Sequence, residues 1–322
     1  MDTTYLPKLS YTAQSPYVPM TPGEAALQTV TAVPWFKVSD ERKQLEGLCF
    51  DRSGDLYFLE VFGGHIMKLE VATMTLRDIY VAEGLKPAAI KIHRNGRLYV
   101  AFLGNFVDNG GIFSINPDGS DFRYEVGPDK GYVIDDLVFT REGGYYFTDF
   151  RGYSFKPIGG AYYVSPEGEI TQIAGNLAGA NGIALSKDEA VLWVTETNNN
   201  QLDRIKLRGR VTVPPYGAHV PYRFTGCNGP DSCCIDDDDN LYVAVAESGR
   251  CMVFNYLGYP IGQILMPGRE AGHMIISTHP ALRPGTDEVV VCANDGDTGG
   301  HGSWLYRARG FAENYKKSYQ FL

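Results

Sequence analysis

The stretch 45-LEGLCFDRSGDLYFLEV begins with a polar position after Leu45, runs through a short apolar segment and a turn, and ends in an aromatic and branched strand. Four more segments repeat that order: 87-PAAIKIHRNGRLYVAFL, 134-IDDLVFTREGGYYFTDF, 180-ANGIALSKDEAVLWVTET and 230-PDSCCIDDDDNLYVAVAE. Ten residues separate Glu46 from Leu56, Ala88 from Leu98, Asp135 from Tyr145 and Asp231 from Leu241; eleven separate Asn181 from Leu192. From Glu46 through Ala88, Asp135 and Asn181 to Asp231, the repeat intervals are 42, 47, 46 and 50 residues. Turn signals such as 51-DRSG, 94-RNG, 116-NPDG, 141-REGG and 166-PEG cut the chain into strand-length runs, and long helical periodicity is absent. Intervals of this size, with about four strands each, are those of β-propeller blades.

The expected fold is therefore all-β: a six-bladed β-propeller with four-stranded antiparallel blades around a central metal-binding channel. A sixth, degenerate copy in 278-THPALRPGTDEVVVCAND places its equivalent position near His279. A propeller must hide its open edge, so the closing strand is expected from 28-QTVTAV or 318-SYQFL. Residues 1–322 read as a single propeller domain, with the Pro-, Ser- and Thr-rich residues 1–25 as a surface arm.

Charge and composition exclude several classes. A net charge of −9 is opposite to what a nucleic-acid binder needs to neutralise phosphates. No apolar run approaches the roughly 18 residues of a membrane span. The start, MDTTYLPKLSYTAQSP, lacks a charged segment followed by an apolar one, so a cytoplasmic location is expected. The six cysteines form no CxxC pair and read as buried free thiols.

In a propeller the first strand of each blade lines the channel and starts at one mouth. Glu46, Asp135, Asn181 and Asp231, sharing one repeat phase, should therefore converge on the axis. A bland reading makes them solvating groups at the channel entrance. Three carboxylates packed together, however, repel each other and raise each other's pKa unless a cation balances them. The all-oxygen donor set favours a hard cation, Ca²⁺ first, with Mg²⁺ or Mn²⁺ as competitors. Four protein ligands leave places for water and substrate, and Ala88 supplies no ligand on its side. Three carboxylates against a dication leave one negative charge over, so one of them can carry a proton during turnover. The residues alone do not choose which.

Other features weigh less. Asp149, in 146-YFTDFRGY, ends a second strand and should return to the same mouth, either supporting the ligands or forming a turn. The run 236-DDDDN with Glu247 mimics an EF-hand loop, but Leu241 stands where that loop needs glycine, which leaves a hairpin turn. His273 and His279 read as packed or substrate-contacting rather than as ligands. The sequence carries no GxSxG, GxxxxGK or GxGxxG motif.

At these repeats, together with 44-QLEGLCFD, 146-YFTDFRGYS, 189-EAVLWVTET, 229-GPDSCCID and 259-YPIGQILMPGR, the chain resembles the senescence-marker-protein/gluconolactonase/luciferin-regenerating family of six-bladed calcium propellers. The resemblance spans nearly the whole chain and is closest to the family's calcium-dependent lactonases. It implies that Glu46, Asp135, Asn181 and Asp231 ligate a catalytic Ca²⁺, that Ser232 is also at the metal site, and that Asp231 is the proton donor. It further implies a second, structural Ca²⁺ on Asp108, Gly110, Asp129 and the carbonyl of Tyr132. Here the chain departs from the pattern: the acidic ligand is displaced to Asp129 and the spacing is one residue shorter. The implied activity is Ca²⁺-dependent hydrolysis of a small-molecule lactone or ester. A phosphotriesterase-like hydrolase, a non-hydrolytic isomerase or cyclase, and a non-catalytic calcium-binding propeller are the alternatives. Aromatic loops at 103-LGNFVDN, 150-FRGYSF and 222-YRFTGCN favour an apolar or aromatic ring over a sugar.

Overall fold

Six sheets, each with four antiparallel strands and one with an added fifth, surround one axis in the computed structural model, which describes residues 8–12, 15–296 and 299–314. The inner strands are Leu45–Phe50, Pro87–Ile92, Ile134–Phe139, Ala180–Leu185, Pro230–Ile235 and Ile276–Leu282. Each contacts the next, and the last returns to the first, which closes the ring. The expected six-bladed propeller is what the chain forms.

Burial explains the sequence pattern. Leu45–Phe50, Ile134–Phe139 and Ala180–Leu185 are buried at every position, because blades cover both of their faces. Such strands read as apolar runs without alternation. The outer strands Thr75–Val81 and Ala218–Arg223 lie mostly in solvent and carry the polar residues. The core is a set of wedges between blades. Cys49, Tyr57 and Leu59 of the first blade, for example, pack on Ile90, Leu98 and Val100 of the second. The turns follow local chemistry: Asp51 Oδ1 accepts the N–H groups of Ser53 and Asp55 at 2.8 and 3.0 Å, and Gly54 adopts φ +84°.

Ring closure differs in detail from the sequence expectation. Val33–Ser39 forms the outermost strand of the last blade, antiparallel to Ser303–Arg309. Only Val33 of 28-QTVTAV takes part. Thr29–Thr31 instead pairs in parallel with Pro260–Leu265, adding a fifth strand to the fifth blade. The alternative closing segment 318-SYQFL lies outside the described residues. The N-terminal segment is also more than a surface arm. Its short helix Pro22–Ala25 buries Glu24, which accepts from Arg250 Nη2 at 2.8 Å and from the Tyr222 hydroxyl at 2.9 Å. Just before it, Val18 O accepts from Arg269 Nη2 at 2.9 Å.

The cysteines are all free, and Cys49, Cys233, Cys251 and Cys292 are buried. Cys227 is exposed and Cys234 partly so, contrary to the expectation of six buried thiols, because Cys227 lies on a loop at the channel mouth. Among the described residues no helix is long and apolar enough to cross a membrane.

Candidate functional site

Each inner strand begins with one or two regular pairs to its neighbour and then slips register. The slips fall between Glu46 and Cys49, Pro87 and Ala89, Ile134 and Leu137, Ala180 and Ile183, Pro230 and Cys233, and Ser277 and Pro280. A bulge re-aims side chains and leaves backbone groups unpaired. Here it falls at or just after the polar position of the repeat in every blade. Second-strand threonines then take up the loose groups. Asp136 N–H donates to Thr148 Oγ1 at 3.1 Å, and that hydroxyl donates to Asn181 O in the next blade. Gly182 N–H donates to Thr195 Oγ1 at 2.7 Å, and Thr195 donates to Asp231 O at 2.7 Å. The inner strands of the fourth and fifth blades are thus each fastened to the blade before. Gly182 is required at this approach, since a Cβ there would lie 2.7 Å from Asp231 O.

The same register places Ser277, not His279, at the polar position of the sixth blade. Ser277 contributes no acid; its hydroxyl bonds Val245 O and Arg250 O at 3.0 Å. The irregular turn of that blade hid the two-residue offset.

Glu46, Asp135, Asn181 and Asp231 are all buried at this mouth, and so is Ser232. Ser232 Oγ donates to Asn181 Oδ1 at 3.5 Å. Burial, then the Asp231, Asp135 and Asp136 carboxylates, hold Glu46 well above the usual carboxylate range. Burial, then Asp231 and Asp136, do the same to Asp135. Burial pushes Asp231 up to about 7, although hydrogen bonds from Asn181 and the Ser232 N–H oppose the rise. Glu46 Oε2 is buried without a hydrogen-bond partner. Mutually repelling buried carboxyls, one with an orphaned oxygen, fit a hard dication as the balancing charge.

A cavity of about 840 Å³ opens over this cluster, lined by Asn181 and Asp231 at its base and by Tyr17, Val18, Phe150 and Asn228 higher up. Ala88, on whose side room for substrate was expected, is buried. Ala88 packs in an apolar ledge with Val61, Leu103 and Val133, under Phe150. Of the three aromatic loops singled out, those at 150 and 222 reach the cavity, while Leu103 of the first belongs to the ledge.

Below the acids lie Lys91 and Asp136, which the repeat did not single out, and His279, which it misplaced at the polar position. Asp136 and His279 are fully buried, and Lys91 Nζ lies 3.4 Å from Asp136 Oδ1 and 3.2 Å from His279 Nε2. Burial works to lower the ammonium's pKa, but Asp136 with Cys49 and Cys234 together carry the net shift upward. Burial, then Lys91, keeps His279 neutral. A separate cavity of about 570 Å³, with Lys91 in its lining, opens at the opposite mouth. The one available sequence signal was the second acid of 134-IDD.

Asp149 does return to this mouth. It is buried, bonded by Arg151 at 2.7 Å, and its Oδ1 accepts the Val133 N–H at 3.1 Å, anchoring the chain two residues before Asp135. Glu196 and Asp295 anchor Ala178 and Met274 in the same way. At the second-ion candidates, Gly110 and Tyr132 meet through Gly110 N–H donating to Tyr132 O at 2.7 Å. Asp108 and Asp129 are exposed; Asp108 accepts from Asn105 at 3.0 Å, and Asp129 sits 3.7 Å from Lys130. The acidic run at 236 is a hairpin turn in which Asp236 accepts from Asp238 and Asn240, as expected.

Comparison with known proteins agrees with this architecture. The chain is 52% identical over 326 residues to "Lactonase drp35" of Staphylococcus saprophyticus, covering all of both proteins. It is 52% identical over 319 residues to the protein of that name in Staphylococcus aureus, covering 98% of each. Among solved structures, the calcium-binding protein regucalcin from Agrobacterium tumefaciens shares the fold, with a TM-score of 0.71 at 17% identity over 90% of this chain and 99% of that one. Residues 45–283 match the model of the SMP-30/Gluconolactonase/LRE-like region. On this match, and on full-length relatives at half identity, the chain belongs to the SMP-30/gluconolactonase/LRE-like family.

Proposed function

We propose that this chain is a metal-dependent hydrolase that opens lactone rings, with Ca²⁺ held by Glu46, Asp135, Asn181, Asp231 and Ser232. The observation that carries the reading is the cluster of three buried carboxyls with raised pKa values beneath an open cavity. Full-length identity of 52% to curated lactonases supplies the reaction class.

When bound there, a hard dication supplies polarisation of the substrate carbonyl and a place for water. The chain's own residues do the rest. Phe150, Tyr17 and Val18 line an apolar rim that shields the ring from bulk water. Asn181 and the Ser232 N–H hold the Asp231 carboxylate in place. Asp231 takes a proton from the attacking water and returns one to the ring oxygen as the acyl C–O bond breaks. Water is added across that bond, so protons balance in each turnover. Glu46 and Asp135 remain as fixed charges. A second, structural Ca²⁺ at Asp108, Gly110, Asp129 and the Tyr132 carbonyl belongs to the same proposal.

The test is a panel of aliphatic, aromatic and sugar lactones plus an organophosphate, run with and without chelator beside metal analysis of the purified protein. Lactone turnover should vanish on chelation and return with Ca²⁺ more fully than with Mg²⁺ or Mn²⁺. A metal-stripped protein that still opens lactones overturns the proposal. Faster turnover of the organophosphate would transfer the site to phosphotriester chemistry.

A further inference from the structure

Asp149, Glu196 and Asp295 each anchor the approach to an inner strand, and the one in the sixth blade is treated differently. In the third blade Asp149 is met by the Arg151 guanidinium. In the sixth, the equivalent Asp295 is met by two imidazoles. His301 Nδ1 lies 2.8 Å from Asp295 Oδ2, and His273 Nδ1 lies 3.7 Å from Asp295 Oδ1. The two imidazole rings stand 4.0 Å apart, centroid to centroid. One ligand atom from each of the three residues falls within 4.8 Å of the others.

We propose that His273, Asp295 and His301 form a second metal site, selective for a borderline transition dication of the Zn²⁺ class and distinct from the oxygen-lined site on the axis. The donor set is the first reason. Two imidazoles and one carboxylate suit Zn²⁺ or Co²⁺, whereas Ca²⁺ takes oxygen. Spacing is the second. Ligands about 2.0–2.1 Å from a tetrahedral ion stand about 3.4 Å from each other, and the 2.8 and 3.7 Å from the two imidazoles to the two oxygens of the Asp295 carboxylate bracket that value. The third is His273 Nδ1, buried without a hydrogen-bond partner while it faces the carboxylate. Both rings turn a nitrogen to the same acid, and an ion between them satisfies all three.

The site is built before any ion arrives. Asp295 Oδ1 accepts the Met274 N–H at 3.1 Å, and Oδ2 accepts the His301 N–H at 2.6 Å. His301 O accepts from Trp304 Nε1 at 2.8 Å. The His301 side chain is 54% exposed and that of His273 33%, so an ion can enter and keep one coordination place for water. His301 frees Nδ1 by carrying its proton on Nε2, a tautomer change without change of charge. Ile275 and Gly296, beside these ligands, line the substrate cavity. Occupancy therefore ties two segments of that wall together.

The experiment uses full-length protein saturated with Ca²⁺, so that the axial oxygen site is blocked, and titrates Co²⁺ and Zn²⁺. One equivalent of Co²⁺ should give the intense visible bands of a four-coordinate site, displaced by Zn²⁺. His273→Ala, His301→Ala and the double variant should abolish these bands while Ca²⁺ binding, read calorimetrically, stays unchanged. Absence of the bands in the parent protein overturns the proposal. So does their survival in the double variant, which would place Co²⁺ at the axial site. If the His273→Ala protein fails to fold, His301→Ala alone decides, because that ring is half in solvent. This result stands or falls separately from lactone hydrolysis.

Discussion

His279 Nδ1 lies 3.4 Å from Glu46 Oε2, and the opposite ring nitrogen lies 3.2 Å from Lys91 Nζ. The charged lysine can only donate, so His279 Nε2 accepts and Nδ1 carries the proton. That nitrogen lies beside a Glu46 oxygen that is itself buried without a hydrogen-bond partner. Lys91 thus fixes a tautomer, and the tautomer places an N–H beside a proposed metal ligand.

His279→Ala removes this contact and leaves the five proposed ligands in place. Partners that orient ligands typically contribute about 10–100-fold in metal affinity. Calorimetric titration should find Ca²⁺ binding weakened by about that factor, with stoichiometry unchanged. Affinity equal to that of the parent protein would rule out an orienting role for His279.

This contact was hidden from the sequence, whereas the cluster of polar residues on the axis was not. Glu46, Asp135, Asn181 and Asp231 were legible because a closed repeat turns one sequence phase into one place. Lys91 and His279 lie at no common phase, and only the axis joins residues 188 positions apart. The ring-closing strand was mislocated by a few residues for a related reason. Thr29–Thr31 and Val33–Ser39 both have strand composition, and their division between two blades depends on edges that form only in the assembled ring. The helix Pro22–Ala25 went unread, although 21-TPGE carries a capping box whose glutamate also reaches Arg250.

Lys91→Met tests the other side of His279. Asp136 would remain fully buried beside His279 with its ammonium removed. Breaking a buried pair by deleting one partner costs about 3–5 kcal/mol. Urea unfolding of the Ca²⁺-loaded protein should report a loss of that order. The Lys91→Met/Asp136→Asn double variant should recover much of it, because the stranded charge is gone. Equal losses in the single and double variants would mean that the lysine stem, rather than its charge, matters.

Asp231→Asn separates holding a metal from moving a proton. The amide keeps an oxygen donor toward the cluster but cannot exchange a proton at neutral pH. Turnover should fall by about 10²–10⁴-fold, the usual contribution of a positioned acid or base. Calorimetry should still find Ca²⁺ bound, at reduced affinity. If the variant hydrolyses lactones at the parent rate with Ca²⁺ bound, the proton belongs to another group.

Thermal stability should couple to pH and metal with a definite sign. In the unfolded chain these carboxyls ionise near pH 4, whereas the metal-free fold holds the Asp231 proton up to about 7, and Glu46 and Asp135 are also raised. Between those values the folded state binds more protons than the unfolded one, so stability falls as pH rises from roughly 4 to 7. Below that window both states are protonated and the contribution is fully present. Ca²⁺ replaces the protons, so its stabilisation should be larger at pH 7.5 than at pH 5.5. Scanning calorimetry of chelated and Ca²⁺-loaded protein at the two values measures both effects. Asp231→Asn, which lacks one titrating group, should give a flatter metal-free profile than the parent. A Ca²⁺-induced Tm gain of equal size at both pH values would remove the carboxyl cluster from the metal site.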